Sequence, residues 1–420
     1  MEFLGVLTFL VTLYLRPQDW VPAFKHVPVD FIVIPTTVLL AVIFSRGGLP
    51  VKLPQYYFLV FLLLSIAMSN IVHGKFDLAS EQFTLFAKKA MIFFMFLLVV
   101  NSPGRMRLTL MFILVLSVTL VIQGIYQRIY GVGWAGQPPY WDGKRITWVG
   151  FWNGSNVLAL SFVMALPIAT EFCRRSQGIF YRGVGIVAVP LLLGGLWLCN
   201  SRGGMLAAAT TLFFYYAFTK GVKKGVTIIL VVILLALPFL PSRALQISTK
   251  DESAHLREYV WEKGYYMLKK NPLFGVGKGR FTEFSARRLV AHNNYVQNMA
   301  ELGMVGFFFW MGLLYYSFKG LYAVKNHRYE KQEDRERYGH TARTLMVMLI
   351  GFCVATMFIT SEIDPFYMLL GLIAAMISIA KKAFPDLELD FTRRDWPRIF
   401  GLCIGWIMLI YLYAVKELFR

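Results

Sequence analysis

Four groups of residues carry side chains suited to chemistry. The run Ser201-Arg202-Gly203-Gly204-Met205-Leu206 sets an arginine at the start of an apolar stretch, with no acid near it in sequence. A guanidinium beside the free N–H groups of a helix start makes a good diphosphate site. The same arginine can equally anchor a helix among headgroups. Two glycines directly after it favour close backbone approach, to a ligand or to a neighbouring helix. The run His292-Asn293-Asn294-Tyr295 stands just ahead of another apolar stretch. An imidazole, with an ordinary pKa of about 6.5, suits a general base at neutral pH, although a lone histidine is more often structural. Lys88 and Lys89 lie inside a third apolar run. They sit roughly 10 Å from its end at ~1.5 Å rise per residue. Snorkelling accounts for one of them, and two adjacent lysines point in different directions, so the other turns toward a cavity. Finally, the loop Gly131–Gly150 sets Trp134, Tyr140, Trp141 and Trp148 around Arg145. Rings flanking a cation suit sugar stacking, and they also make an ordinary interfacial aromatic belt.

The elements that must position these residues are membrane helices. The chain has 420 residues, 57% hydrophobic and 16% charged, with a mean hydropathy of +0.55. A soluble domain is nearer a quarter charged, and disorder needs low hydrophobicity. Thirteen apolar runs, from 3–15 through 203–219, 222–240 and 302–322 to 399–415, approach the roughly 20 residues of a helical span. The expectation is an all-α polytopic membrane protein with about 12 transmembrane helices (12–13). Residues 1–240 hold about the first nine, 241–301 form one large loop that is helical in part, and 302–420 hold the rest. The start, Met1 to Arg16, reads as a retained first helix, because it lacks a basic leader and a small-residue cleavage site. No internal repeat is evident.

Charge sets the expected orientation. With the N-terminus in the cytoplasm, inside loops collect 22 Lys and Arg and the short outside loops 7, as the positive-inside rule requires. The formal charge of +19 is therefore read as topology, not as nucleic-acid binding. The 241–301 loop then faces outward. It carries ten cations, among them Arg243, Arg257, Lys278 and Arg280, against six acids. Long loops translocate regardless of charge, so these cations form either a solvated basic cap on anionic lipid or a site for an anionic, membrane-borne substrate. Within it, Glu258, Trp261 and Tyr265 are spaced for one helix face, and Asn271-Pro272-Leu273-Phe274-Gly275-Val276-Gly277-Lys278-Gly279 is a turn and glycine-rich loop.

Cys173, Cys199, Cys353 and Cys403 show no paired spacing, and the six histidines form no zinc motif. The glycine-rich loop lacks the Gly-Lys-Ser/Thr end of a P-loop. The outward loops hold no acid pair of the kind that grips a divalent metal beside a diphosphate; the nearest, Glu388-Leu389-Asp390, falls on the inside. The expectation is chemistry with no cofactor and no metal.

The ordered set of motifs resembles the bacterial O-antigen ligase–polymerase superfamily. Arg202 followed at the fourth position by Leu206 is similar to its R-x3-L element, and His292-Asn293, nine residues, then Gly303 to its H-[NSQ]-x9-G element. Arg257, Trp261 and Asn271–Gly277 resemble the start of its large periplasmic loop. Phe151-Trp152-Asn153 with Asn156 and Ala159 is similar to its F-x-N-P-N-x-x-A stretch, with Gly154-Ser155 where proline is usual. Leu15-Arg16-Pro17-Gln18-Asp19-Trp20 resembles a subgroup described as O-glycosylation ligases. The likeness spans roughly residues 80–380.

The resemblance implies a GT-C-type glycosyltransferase of the bacterial inner membrane with its active site on the periplasmic face. It implies inverting transfer of a glycan from undecaprenyl diphosphate to a sugar hydroxyl of lipid A–core, without metal or nucleotide. On that reading His292 is the general base, and Arg202 and Arg257 hold the leaving diphosphate, since guanidinium grips phosphate bidentately. Arg145, Arg280, Arg243 and one of Lys88 or Lys89 are the next cations for donor binding, with Asn293 and Tyr295 beside them. Polymerases and protein O-oligosaccharyltransferases share the motifs. A transporter or flippase is the alternative of another kind; it predicts inverted repeats and midplane charges.

Overall fold

The structure, a computed structural model, describes residues 2–25, 27–44, 50–140, 143–236, 252–285, 288–359 and 364–414. It is built from helices α1 (Glu2–Tyr14), α2 (Val29–Phe44), α3 (Pro54–Ile71), α4 (Phe76–Val99), α5 (Pro103–Tyr130), α6 (Ser155–Phe172), α7 (Ile179–Cys199), α8 (Arg202–Lys220), α9 (Val222–Ala236), α10 (Glu252–Lys270), α11 (Asn294–Asn326), α12 (His340–Ala355), α13 (Asp364–Ala383) and α14 (Asp395–Ala414). No strand occurs among the described residues. Among the described residues nine helical stretches are long and apolar enough to cross a membrane, α12 counting together with the turns that precede it from Gln332, and α1 and α2 are shorter apolar helices. The chain is a multi-pass membrane protein.

Local chemistry sets the helix ends. Ser102 accepts the Arg105 N–H at 3.3 Å with Pro103 at the first helical position of α5, and Gly131 closes that helix in the left-handed region. Pro167 and Pro190 sit inside α6 and α7, as membrane helices tolerate when neighbours satisfy the freed carbonyls. The most apolar-buried span is α6, 89% enclosed, wrapped by α7, α8 and α12; α14 is only 17% enclosed and lies at the rim. Rim helices keep large side chains such as Leu409 and Leu412 exposed, which suits contact with lipid tails.

Two differences from the sequence expectation shape the site. First, α11 begins at Asn294 rather than near residue 302. Its first two turns carry Asn294, Gln297, Asn298 and Glu301, all buried within the protein, so a hydropathy window passes over them. Second, α11 is broken at Gly303, whose backbone (φ 64°, ψ −167°) is essentially reserved for glycine.

Helix α10 lies across α11 and α14. Its Glu258, Trp261 and Tyr265 share the face turned to α14: Trp261 packs on Tyr413 at 5.3 Å, Tyr265 on Tyr411 at 5.3 Å, and the Tyr413 hydroxyl donates to Glu258 at 3.3 Å.

Candidate functional site

The site lies at one end of the bundle, where α8 begins and α12 ends. Asn200 turns the chain out of α7 in the left-handed region (φ 47°), and Ser201 Oγ accepts the Gly204 N–H at 3.1 Å. Arg202 is the first helical residue of α8 and is exposed. The two glycines after it are close-approach positions toward neighbouring protein. A Cβ on Gly203 would come 2.8 Å from Phe358, and one on Gly204 2.8 Å from Ala159 of α6. Arg145 lies at the same end: its guanidinium is 4.2 Å from the Tyr140 ring, and the next residue's N–H donates to Leu198 O in the last turn of α7 at 3.3 Å.

His292 sits in a short loop pinned from three sides. Trp261 Nε1 of α10 donates to Ala291 O at 2.9 Å, Gln297 Oε1 accepts the Ala291 N–H at 3.0 Å, and the Asn294 N–H donates to Thr356 O at 2.9 Å. Asn293 caps α11, its Oδ1 accepting from Tyr295 N–H at 2.9 Å and Val296 N–H at 3.2 Å. His292 itself has φ 49°, an uncommon conformation for a residue other than glycine or asparagine, and it faces solvent. Partial burial against its neighbours, and then the positive charge of Arg257, hold its imidazole below the ordinary histidine value. The neutral, proton-accepting form is therefore favoured at neutral pH.

Arg257 of α10 lies over the Phe358 ring at 5.7 Å, the same ring that packs on Gly203. Phe358, in the turn after α12, thus ties Arg257 to the first turn of α8. The His292 loop, Arg257 and the first turn of α8, which Arg202 opens, come from three distant stretches of sequence and meet around this turn.

The glycine-rich loop explains the break in α11. Its Val276 and Gly277 N–H groups donate to Ala300 O (2.9 Å) and Glu301 O (3.0 Å), carbonyls freed by the break. In return the Met304 and Val305 N–H groups donate to Pro272 O (2.8 Å) and Leu273 O (3.1 Å). Four backbone bonds therefore bridge the gap, as the rule on buried backbone groups demands. The backbones pack there so closely that a Cβ on Gly303 would lie 2.5 Å from Gly275 N and one on Gly275 2.4 Å from Glu301 C. Beneath the loop, Lys278 Nζ pairs with Glu301 at 3.0 Å and donates to Asn298 Oδ1 at 3.2 Å. Gln297 donates to the same Glu301, so a buried polar chain runs from the loop to the residue before His292. From α3, Ser69 Oγ accepts the Lys278 N–H at 3.0 Å, and from the turn after it His73 meets Gly275 O at 2.8 Å.

The other candidates are placed apart from the convergence. Arg280 is buried, bonded to Glu283 (2.9 Å) and Val276 O (3.0 Å), with the Phe284 ring 5.2 Å from its guanidinium, and so braces the loop. Tyr295 is buried in packing, stacked on Trp406 at 4.2 Å with its hydroxyl donating to Cys353 O at 3.3 Å. Lys88 pairs with Asp364 at 3.1 Å and approaches Asp30 at 3.9 Å; Lys89 is half-buried beside it. Arg243 lies outside the described residues. The Leu15–Trp20 segment packs on the 146–152 stretch: Arg16 lies over Phe151 at 5.3 Å, Trp20 meets Trp148 at 6.0 Å, and Trp152 Nε1 donates to Leu13 O at 2.9 Å. Among the described residues no three His, Cys, Asp or Glu side chains gather as a metal-binding group.

Sequence reasoning missed Phe358, Thr356 and the Gln297–Glu301–Lys278 chain. Gln297 and Glu301 did carry a signal, a polar i,i+4 pair directly ahead of an apolar run. Phe358 carried none, being one apolar residue among many.

Residues 186–311 match the O-Antigen ligase family model, Wzy_C. The matched stretch contains Arg202, Arg257, His292, Asn293 and Gly303, and it bears out the resemblance read from the motifs. The likeness to O-antigen ligases is thus one of this part of the chain. No curated protein matches the chain.

Proposed function

We propose that the protein is an inverting, metal-independent glycosyltransferase of the inner membrane. It transfers an O-antigen-type glycan from undecaprenyl diphosphate to a sugar hydroxyl of lipid A–core on the periplasmic face. The observation that carries this reading is the convergence of His292, Arg257 and the α8 start around Phe358.

An inverting displacement needs a base on the nucleophile's side and charge stabilisation on the leaving group's side. His292 accepts the proton of the acceptor hydroxyl. That oxygen forms a bond to the anomeric carbon while the bond from that carbon to the diphosphate oxygen breaks. The diphosphate leaves with the electron pair, and the guanidinium groups of Arg202 and Arg257 meet its charge. Arg257 serves twice, since its charge also keeps His292 neutral and ready to accept a proton. Asn293 and the 272–277 loop hold the His292 turn in place. The lipid tails of donor and acceptor lie along exposed apolar helix faces such as that of α14.

The test is to incubate purified protein with lipid-linked glycan and three acceptors, lipid A–core, a second lipid-linked glycan and a serine-containing polypeptide, and to identify the product by mass spectrometry. Glycan on lipid A–core supports the ligase reading. A lengthened lipid-linked glycan or a glycosylated polypeptide replaces it with the polymerase or the protein-glycosylating reading. Hydrolysis or unchanged donor in all three refutes transfer.

A further inference from the structure

The opposite end of the bundle holds a second cluster of charge that the transfer reaction does not use. A cavity of about 560 Å³ opens there between the ends of α6 and α8 and the start of α12. Arg174, Lys220, Arg335, Arg343 and His340 line it, and no Asp or Glu is among its lining residues. Lys220 and Arg335 are exposed at the rim, Arg174 is half-buried, and His340 and Arg343 are buried at the floor, 8% and 5% exposed.

The floor is only partly neutralised. Glu171, behind the cavity, accepts from Arg343 and from the Tyr215 hydroxyl (2.9 Å), and lies 3.5 Å from Arg174 and 3.6 Å from His340 Nδ1. Glu171 thus meets Arg343 and Arg174, while Lys220 and Arg335 stand at the rim away from it, with Lys325 also near, over the Phe218 ring at 5.2 Å. Glu333 and Glu336 line the neighbouring cavity, which shares His340 with this one and has Glu171 in its wall. Two buried donors at the floor, Arg343 Nε and His340 Nδ1, have no hydrogen-bond partner. Four cations at the mouth and floor, with no acid among the lining residues, describe a receptor for a tetrahedral oxyanion.

We propose that this cavity binds a phosphoryl group, either the headgroup of an anionic phospholipid or a free phosphate. On the charge-derived orientation it faces the cytoplasmic leaflet, the side where positive loops gather, but the proposal does not depend on the transfer reaction.

The test uses the full chain in neutral detergent and reads binding, not transfer. Dioctanoyl phosphatidylglycerol, dioctanoyl phosphatidylcholine and inorganic phosphate are titrated by thermophoresis. The variant is Lys220→Gln with Arg335→Gln, both exposed and outside the Glu171 cluster, so folding is spared. A second variant, Arg343→Lys, keeps the charge facing Glu171 but removes Nε. Expected are tighter binding of phosphatidylglycerol than phosphatidylcholine, competition by phosphate, and a loss of about 20-fold or more in the rim variant, near 5-fold per cation removed. Phosphate binding that depends on the rim, without phosphatidylglycerol binding, supports the site and assigns the free anion. Equal binding of both lipids with no effect of phosphate, or anion binding unchanged in both variants, overturns the proposal.

Discussion

Replacing Gly303 by alanine tests whether the break in α11 is what positions the His292 turn. An alanine at φ 64°, ψ −167° bears roughly 1–3 kcal/mol of backbone strain. Its Cβ would lie 2.5 Å from Gly275 N and Leu273 C, and backbone cannot swing aside as a side chain can. The chain then has two ways out. It can hold the break and carry strain plus overlap, about 3 kcal/mol or more. Or it can straighten α11 and expel the 272–277 loop, losing four backbone bonds at about 1 kcal/mol each and unpairing the buried Lys278–Glu301 bridge. Either route costs at least about 3 kcal/mol, a large share of a typical folding free energy of roughly 5–15 kcal/mol. Denaturant melts of purified Gly303→Ala in detergent measure this, alongside transfer from lipid-linked glycan. Gly194→Ala is the matched control: it is helical, exposed and has nothing within 4 Å of the added Cβ, so it should be neutral or more stable by up to about 1 kcal/mol. A Gly303→Ala protein that melts within about 1 kcal/mol of the parent and transfers normally would refute the docking argument.

Other outcomes follow from the same geometry. His292→Asn, which tolerates the positive φ, should fold normally yet lose about 10²–10⁴-fold in transfer; near-parental rates in membranes would remove His292 as the base. The base acts when neutral, so kcat/KM should rise with pH through a limb below the ordinary histidine value of about 6.5 and then level off. Arg257→Gln removes one of the two causes of that depression, so the limb should move to higher pH while the rate falls; an unmoved limb argues against electrostatic contact between the two. Arg202→Lys keeps the charge but loses the two-pronged grip, and should lower transfer about tenfold or more at saturating acceptor. Lys278→Met should destabilise by about 3–5 kcal/mol because it strands the buried Glu301 carboxylate, whereas Lys278→Met with Glu301→Gln should recover part of that loss in the same melts.

What the sequence made legible follows the physics of each signal. Membrane helices announce themselves because burial in lipid demands a long apolar run, and α5 or α13 can be read to within a few residues. The start of α11 could not, because Asn294, Gln297, Asn298 and Glu301 are buried by protein rather than by lipid and look polar to any hydropathy window. His292 and Arg202 were legible as residue types in suggestive places, and Arg257 by its likeness to a known loop. Their convergence was not, since it runs through Phe358, whose role depends on where α12 stops. The nine-residue gap between Asn293 and Gly303 shows the limit most clearly. As a spacing it is only a motif. In the fold it is the length of a half-helix, capped at one end by Asn293 and broken at the other by Gly303, so that the glycine-rich loop can seat its N–H groups on the freed carbonyls. Lengthening that half-helix by one residue would rotate the His292 turn by about 100° relative to the docked loop. The spacing thus fixes the direction of the His292 turn relative to the loop-locked end. An insertion between Asn293 and Gly303 should therefore abolish transfer even where the bundle still assembles, and retained activity in such a variant would show that the loop, not the half-helix, places His292.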